Sequence, residues 1–378
     1  MDKLLVNALS VANPSGLHVL LGHLDQVAAA LADRVRLVVL CREDLAGLRA
    51  GLGARADWEF APASTRNWLF RAGWERAQLA RLARKHAACA VFTPSGIAAN
   101  GLDVPQIVFC QNPWALVPAA RRRRDLIKAW LQRRAYRRAM RVAEVMVFNS
   151  RYMQNAYRAN AGFAEKRGLV VYQAADDVPR VTAAQAVPRK PGQILCVSVM
   201  APHKNAEALV RAFRAVRAGH PDARLVLAGS WPDPAYERKI RALVEALGLR
   251  AAVECAGFVA RERRDQLYAE SRVFCLMSRC ESFGIPAIEA QRFGTPVVSS
   301  AAGAIPEICG AGGIFREPDD VPGIAAALRT LLTDDAEWAR LSAAARTNAA
   351  RFSWAECSRP LVELVAELVG SRTAGGRA

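Results

Sequence analysis

The 378-residue sequence contains no apolar run approaching the ~20 residues that a bilayer-crossing helix needs. Its N-terminus, MDKLLVNALSV, passes straight into polar residues, without the profile of a signal peptide. Its nine cysteines stand singly and in odd number. Cys275 and Cys280 are the nearest pair, and there is no CxxC. That pattern argues against a disulfide framework and a zinc site. It fits small core thiols in a reducing cytoplasm. No D-x-D pair is flanked as a metal site. Asp233 comes nearest and stands alone among prolines. There is no G-x-G-x-x-G and no repeat of solenoid period. Zinc fingers, RNA-binding signatures and repeated stacking aromatics are missing too, which leaves nucleic acid without a reader. Acidic residues are scarce in one half only. Residues 1–190 hold 29 Lys and Arg against 14 Asp and Glu, and the remainder 23 against 21. The first half is therefore built to meet something acidic.

What is present is enough apolar sequence for two cores. The first half offers strands at Lys3–Leu9, Arg36–Cys41, Ala90–Thr93, Ile107–Cys110 and Glu144–Ser150, with helices over Leu17–Ala32, Thr65–His86 and Tyr152–Asn160. Residues 176–192, rich in Pro and Ala and without period, predict a linker between domains at 1–175 and 193–352. The second domain alternates strand and helix from Ile194 to Phe315, the pattern of a parallel, doubly wound α/β sheet. A last helix from Trp354 and a Gly/Ala/Arg tail make up 353–378.

Three stretches carry candidate chemistry. The first is Ser278–Glu289, SRCESFGIPAIE, which follows the apolar strand Val273–Met277. Gly284 lets a ligand approach the backbone, Pro286 suits a first helical turn, and the amides around Phe283–Ile285 predict an anion site. Glu281 and Glu289 bracket it. Two acids beside a phosphate make sense if that phosphate carries hydroxyl-bearing groups on both sides. The second is Lys204, just after the strand Ile194–Val199, where its charge can neutralise a departing diphosphate. The third is Arg121–Arg141, with ten basic residues, one acid (Asp125), and Leu126, Ile127, Trp130, Leu131, Ala135, Tyr136 and Met140 at helical spacing. It suits either a solvated helix face packed on its own domain or a surface for an anionic membrane or a lipid-diphosphate acceptor.

The setting ESFGIPAIEA…GTPVVSS, with seven residues between Glu281 and Glu289, resembles the E-x7-E signature of retaining GT-B glycosyltransferases of the GT4 type. AAGAIPEIC and GAGGIFREPDD follow in the family's order. The resemblance spans Ile194–Trp354 and is weaker before it. It implies two Rossmann-like domains facing a central cleft, and transfer of a hexose from a nucleotide-sugar with retention of configuration. It implies no metal or cofactor, the nucleotide-sugar being a substrate. Donor contacts would fall to Gly16, Lys204, the base-holding turn Gly257-Phe258-Val259, Ser282, Phe283, Gly284 and Ile285, and to Glu289 at the ribose. Lys204 and Glu281 would be catalytic, with Glu281 by the transferred sugar. Gly303 and Glu307 would shape the donor's wall. Gln111 and Asn112, at a strand's carboxyl end where relatives often carry histidine, would touch a glycan or lipid-linked acceptor, as would Arg121 and Arg122. Val199 stands where relatives usually carry a diphosphate-binding arginine, and His203 is the nearest substitute cation. A same-fold nucleotide-sugar epimerase and a non-catalytic membrane- or glycan-binding relative remain as alternatives. The setting expected is cytoplasmic, with peripheral contact at the inner face of the cell membrane.

Overall fold

The computed structural model describes residues 1–11, 14–118, 125–175 and 188–375. These fall into two compact units. Unit 1 comprises Met1–Ala174 and the chain from Trp354, and unit 2 comprises Ala175–Ser353.

Unit 1 runs β1 (Asp2–Asn7), α1 (Pro14–Ala30), β2 (Val35–Arg42), α2 (Ala46–Leu52), β3 (Ala56–Ala61), α3 (Trp68–Lys85), β4 (Ala88–Thr93), β5 (Gln106–Cys110), α4 (Leu126–Val142), β6 (Val145–Phe148), α5 (Arg151–Ala161) and β7 (Gly168–Val170). Its seven strands are parallel, in the order β3-β2-β1-β4-β5-β6-β7. The inner strands β4, β5 and β6 are buried at every position. Strands covered on both faces must be apolar throughout, which is why ACAVFT and VMVF show no alternation. Asn67 and Ser150 accept the first amides of α3 and α5, fixing where these helices begin. The expected single helix over Thr65–His86 is accordingly a short 3₁₀ turn (Ala63–Arg66) followed by α3. Neither α2 nor β3 was evident from the sequence.

Unit 2 runs β8 (Lys190–Val197), α6 (Ala206–Arg217), β9 (Arg224–Ala228), α7 (Pro234–Ala246), β10 (Val253–Gly257), α8 (Arg261–Glu270), β11 (Ser271–Leu276), α9 (Ile285–Arg292), β12 (Val297–Ser300), α10 (Ile305–Cys309), β13 (Gly313–Arg316), α11 (Val321–Thr333) and α12 (Asp335–Ala349). Its six parallel strands lie in the order β10-β9-β8-β11-β12-β13. One boundary differs from expectation. The linker expected to Gly192 gives way to strand at Lys190, because Pro191 sits at the strand's start, where its missing N–H interrupts little of the ladder. Residues 176–187 lie outside the described residues. Asp233, the nearest approach to a metal-binding acid, is a helix cap, accepting from the amides of Ala235 (3.0 Å) and Tyr236 (3.3 Å).

All nine cysteines are free thiols and eight are buried. The last helix, α13 (Trp354–Gly375), belongs to unit 1 and packs on α1. A Cβ at Gly22 would lie 2.4 Å from the Trp354 ring, so only glycine admits that ring against the helix. On the same face His23 is buried, its Nδ1 2.9 Å from Ser358 Oγ. Burial lowers its pKa to about 3. The unfolded chain binds this proton near the ordinary histidine value of 6.5 and the folded chain does not. The contribution is therefore complete above that value and is lost as pH falls towards 3, at about 1.4 kcal/mol per pH unit. In urea unfolding below pH 6.5 the wild type is expected to lose stability relative to His23→Met by this slope, the ion-paired carboxylates contributing equally to both at lower pH.

Candidate active site

In a doubly wound sheet, ligands collect beyond the strands' carboxyl ends where the strand order reverses. In unit 2 that point lies between β8 and β11, and the two loops that leave it are tied together. After β8 the chain makes a 3₁₀ turn, Pro202–Lys204, and then Asn205 takes a left-handed conformation and caps α6. After β11 the loop returns to this turn. The amide of Arg279 donates to the His203 carbonyl (2.7 Å), and Ser278 Oγ donates to the same oxygen (3.2 Å). Arg279 pairs with Asp319, which Asn205 Nδ2 also reaches (3.2 Å).

This lacing brings the Lys204 ammonium against Glu281 Oε1, although 77 residues separate them in sequence. Glu281 is only 9% exposed. Its backbone is fixed from the other side by the amide of Ala304, which donates to its carbonyl (3.0 Å). Gly303 makes this possible. Its φ is +81°, and a Cβ there would lie 2.5 Å from that same carbonyl oxygen. Glu307 stands in the first turn of α10 beside it. Cys280 remains a protonated thiol, pushed up to about 12 by burial and then by the Glu281 charge.

Glu289 lies one helical turn into α9. Tyr268 Oη donates to its Oε2 (2.8 Å), and Arg264 Nη1 lies 3.3 Å from Oε1. Burial, then Glu289, hold the Tyr268 phenol well above its ordinary pKa, so it donates. Burial opposes the Arg264 charge, but Glu289, Tyr268 and Asp265 outweigh it and its pKa is raised. Neither neighbour was singled out from the sequence. Their helix, α8, reads as an ordinary polar helix, and only the fold turns it towards α9.

The other expected donor residues divide. Gly284, at φ +102°, is the N-cap of α9, and Ile285 and Pro286 open the helix. The Gly284 and Ile285 amides therefore precede any intrahelical acceptor. Ser282 is half-buried in the loop. The Phe283 side chain is buried and meets Phe352 edge-on, so only its backbone belongs to the loop. Gly257 ends β10, and its carbonyl accepts from the Gly229 amide (2.7 Å). Val259 packs on the unit's core while Phe258 is 83% exposed. Val199 is also exposed. His203 does not replace the missing arginine. Burial first, then Lys204, hold its pKa below the ordinary value, so the ring is neutral at pH 7.

In unit 1, Gly16 lies within the first turn of α1, not in a preceding turn, because the helix starts at Pro14. Gln111 Oε1 accepts from Gln173 Nε2 (3.3 Å), beyond β7, and Asn112 Oδ1 accepts from the Trp114 amide (3.0 Å), so only the Asn112 side chain serves its own loop. Arg121 and Arg122 lie outside the described residues. The apolar positions of the basic segment split. Tyr136 and Met140 are buried, but Leu126, Ile127, Trp130 and Leu131 are exposed. Among the described residues no helix is long and apolar enough to cross a membrane, and no three His, Cys, Asp or Glu side chains converge as a metal cluster.

The Glycosyltransferase Family 4 model matches residues 22–177, and the Glycosyl transferases group 1 model matches residues 177–348. The chain belongs to the GT4-type glycosyltransferases. O-antigen chain mannosyltransferase B of Escherichia coli is 33% identical over 174 residues, 44% of this chain and 44% of that protein. Serotype-specific mannosyltransferase WbdA of Escherichia coli is 30% identical over 179 residues, 47% of this chain and 22% of that protein. The chain spans less than half the length of these curated relatives. A glycosyltransferase from Rickettsia africae has a TM-score of 0.77 at 16% identity, covering 97% of this chain and 98% of its own. Anabaena Alr3699/HepE in complex with UDP-glucose has a TM-score of 0.73 at 20% identity, covering 97% and 100%. At these identities the likeness establishes the fold, which is GT-B.

Proposed function

We propose that this GT4-type protein is a retaining hexosyltransferase. It moves a sugar from a UDP- or GDP-sugar to a glycan or lipid-linked acceptor in surface polysaccharide or lipopolysaccharide synthesis. The observation that carries this is the Lys204–Glu281 pair beside the α9 N-terminus at the sheet's reversal. The mannosyltransferase relatives and the neighbour bound to UDP-glucose support the substrate class.

In this reading the diphosphate lies at the α9 amides, with Lys204 on it, and the ribose reaches Glu289. The bond from anomeric carbon to phosphate oxygen breaks, and its electron pair goes to the diphosphate, where Lys204 and the helix terminus offset the charge. The acceptor hydroxyl attacks from the same face and gives its proton to the departing oxygen. Glu281 lies by the sugar as positive charge grows at the anomeric carbon. Titration calorimetry with UDP, GDP and ADP, followed by assay of nucleotide release from the matching sugar donor, tests this. Binding of one nucleotide and turnover of its sugar are expected. Binding without turnover favours the non-catalytic alternative, for which the neutral Val199 and His203 speak. Absence of both removes the transferase reading.

The acceptor reading extends to a membrane surface. Leu126, Ile127, Trp130 and Leu131 are exposed beside Lys128, Arg133 and Arg134 on α4, a combination that suits an anionic interface. The double variant Ile127→Glu, Trp130→Glu alters only exposed positions. It is expected to lose flotation with phosphatidylglycerol vesicles, and flotation equal to wild type sinks the membrane surface.

A further inference from the structure

Unit 1 has its own sheet reversal, between β1 and β4, where Val6 pairs with Phe92. Beyond their carboxyl ends lies a cavity of about 290 Å³. Its contents differ from those of the donor site. Asn7, the last residue of β1, donates from Nδ2 to Glu75 Oε1 (2.9 Å). Arg71, half-buried, reaches only the Leu9 carbonyl, at 3.4 Å, among the described residues. Ser10 Oγ is buried with no hydrogen-bond partner among the described residues. Trp68 stands at the rim, 43% exposed. Trp68, Arg71 and Glu75 follow one another at three and four residues along α3 and so share a face.

Each of these groups is under-used by the protein. A buried hydroxyl, a guanidinium and a carboxylate with few partners call for a ligand that both donates and accepts. A free anion is a poor match, because Glu75 repels it. An aliphatic ligand leaves all three groups unsatisfied. A sugar ring answers every one. Its hydroxyls donate to Glu75 and accept from Arg71 and Ser10, and its C–H face lies on an indole. We propose that this cavity seats a pyranose ring, the terminal sugar of the acceptor, with Trp68, Arg71 and Glu75 setting its identity. Gln111 and Asn112 are not among the residues that line it. Burial raises the Glu75 pKa, against the Asn7 hydrogen bond and the Arg71 charge, which shows that the fold holds this acid at a cost.

The proposal rests on the transferase reading for the word acceptor, but its test does not. The probes are methyl α-mannoside, methyl α-glucoside, methyl α-galactoside and N-acetylglucosamine, each at tens of millimolar. The readout is saturation-transfer NMR on the full chain. At least one is expected to receive saturation. Trp68→Ala and Glu75→Ala are each expected to weaken its binding roughly tenfold or more, and Trp68→Phe to restore most of it. Trp68 is half-exposed and Glu75 desolvated, so both variants are expected to fold, and thermal melts check this. Nucleotide binding in unit 2 is expected to be unchanged. If no probe binds, or the variants bind like wild type, the pocket assignment is overturned. If nucleotide still binds in those samples, the transferase reading survives alone. If a glycoside binds and no nucleotide does, the cavity stands as a glycan site and the transferase reading falls.

Discussion

Replacing Lys204 with methionine is expected to lower the rate of nucleotide release from the sugar donor by roughly 10²–10³, about 3–4 kcal/mol of lost transition-state stabilisation. The size follows from what surrounds it. Val199 brings no charge and His203 is neutral, so Lys204 is the cation of its turn. The same residue also holds Glu281, whose side chain is 11% exposed. Removing the ammonium leaves a carboxylate with little water, which costs about 3 kcal/mol of stability. A lower rate could therefore come from a damaged loop, and the two effects must be separated. The double variant Lys204→Met, Glu281→Gln removes the stranded charge. Its melting temperature is expected to return towards wild type while the rate stays low. Lys204→Arg keeps the charge and is expected to retain more activity than Lys204→Met. If folded Lys204→Met turns over within a few-fold of wild type, the leaving group is neutralised elsewhere and the proposed chemistry fails.

The donor half was legible because its signals are local. VFCLM is apolar at every position, since β11 is covered on both faces, and the loop and helix start follow within ten residues. Glu281 in the loop and Glu289 about one turn into the helix needed no long-range information to be placed. What stayed hidden depends on strand order. Asn7 and Glu75 are 68 residues apart, and nothing in either neighbourhood marks a ligand. They meet because β1 and β4 lie side by side with α3 leading into β4. Arg264 and Tyr268 were missed for the same reason. The helix expected from Leu17 starts earlier, at Pro14, so Gly16 lies inside α1 and not ahead of it. The basic segment shows a subtler failure. Its apolar residues do recur at helical spacing, but spacing alone does not say that Tyr136 faces the core and Trp130 faces outward.

Glu289→Ala is expected to weaken nucleotide binding by roughly 10–100-fold, the scale of one or two hydrogen bonds to a charged group. Tyr268 and Arg264 grip the carboxylate from two sides, so it is positioned before any ligand arrives and little ordering entropy opposes binding. The variant also strands the buried Tyr268 hydroxyl, at a cost of about 1–3 kcal/mol in stability. Tyr268→Phe is expected to leave the fold intact and to weaken binding only a few-fold, because Arg264 still holds Glu289. Affinity alone does not identify the contact, but the ligand can be mutated as well. If Glu289 takes the ribose hydroxyls, a deoxy form of the preferred nucleotide lacking the contacted hydroxyl binds wild type about as weakly as the full nucleotide binds Glu289→Ala. The variant should then scarcely distinguish the two ligands, because the partner that read the difference is gone. Equal losses that add instead of overlapping would place Glu289 away from the ribose. It would then be a brace for α8 against α9, and the nucleotide would owe its position to the α9 amides and Lys204 alone.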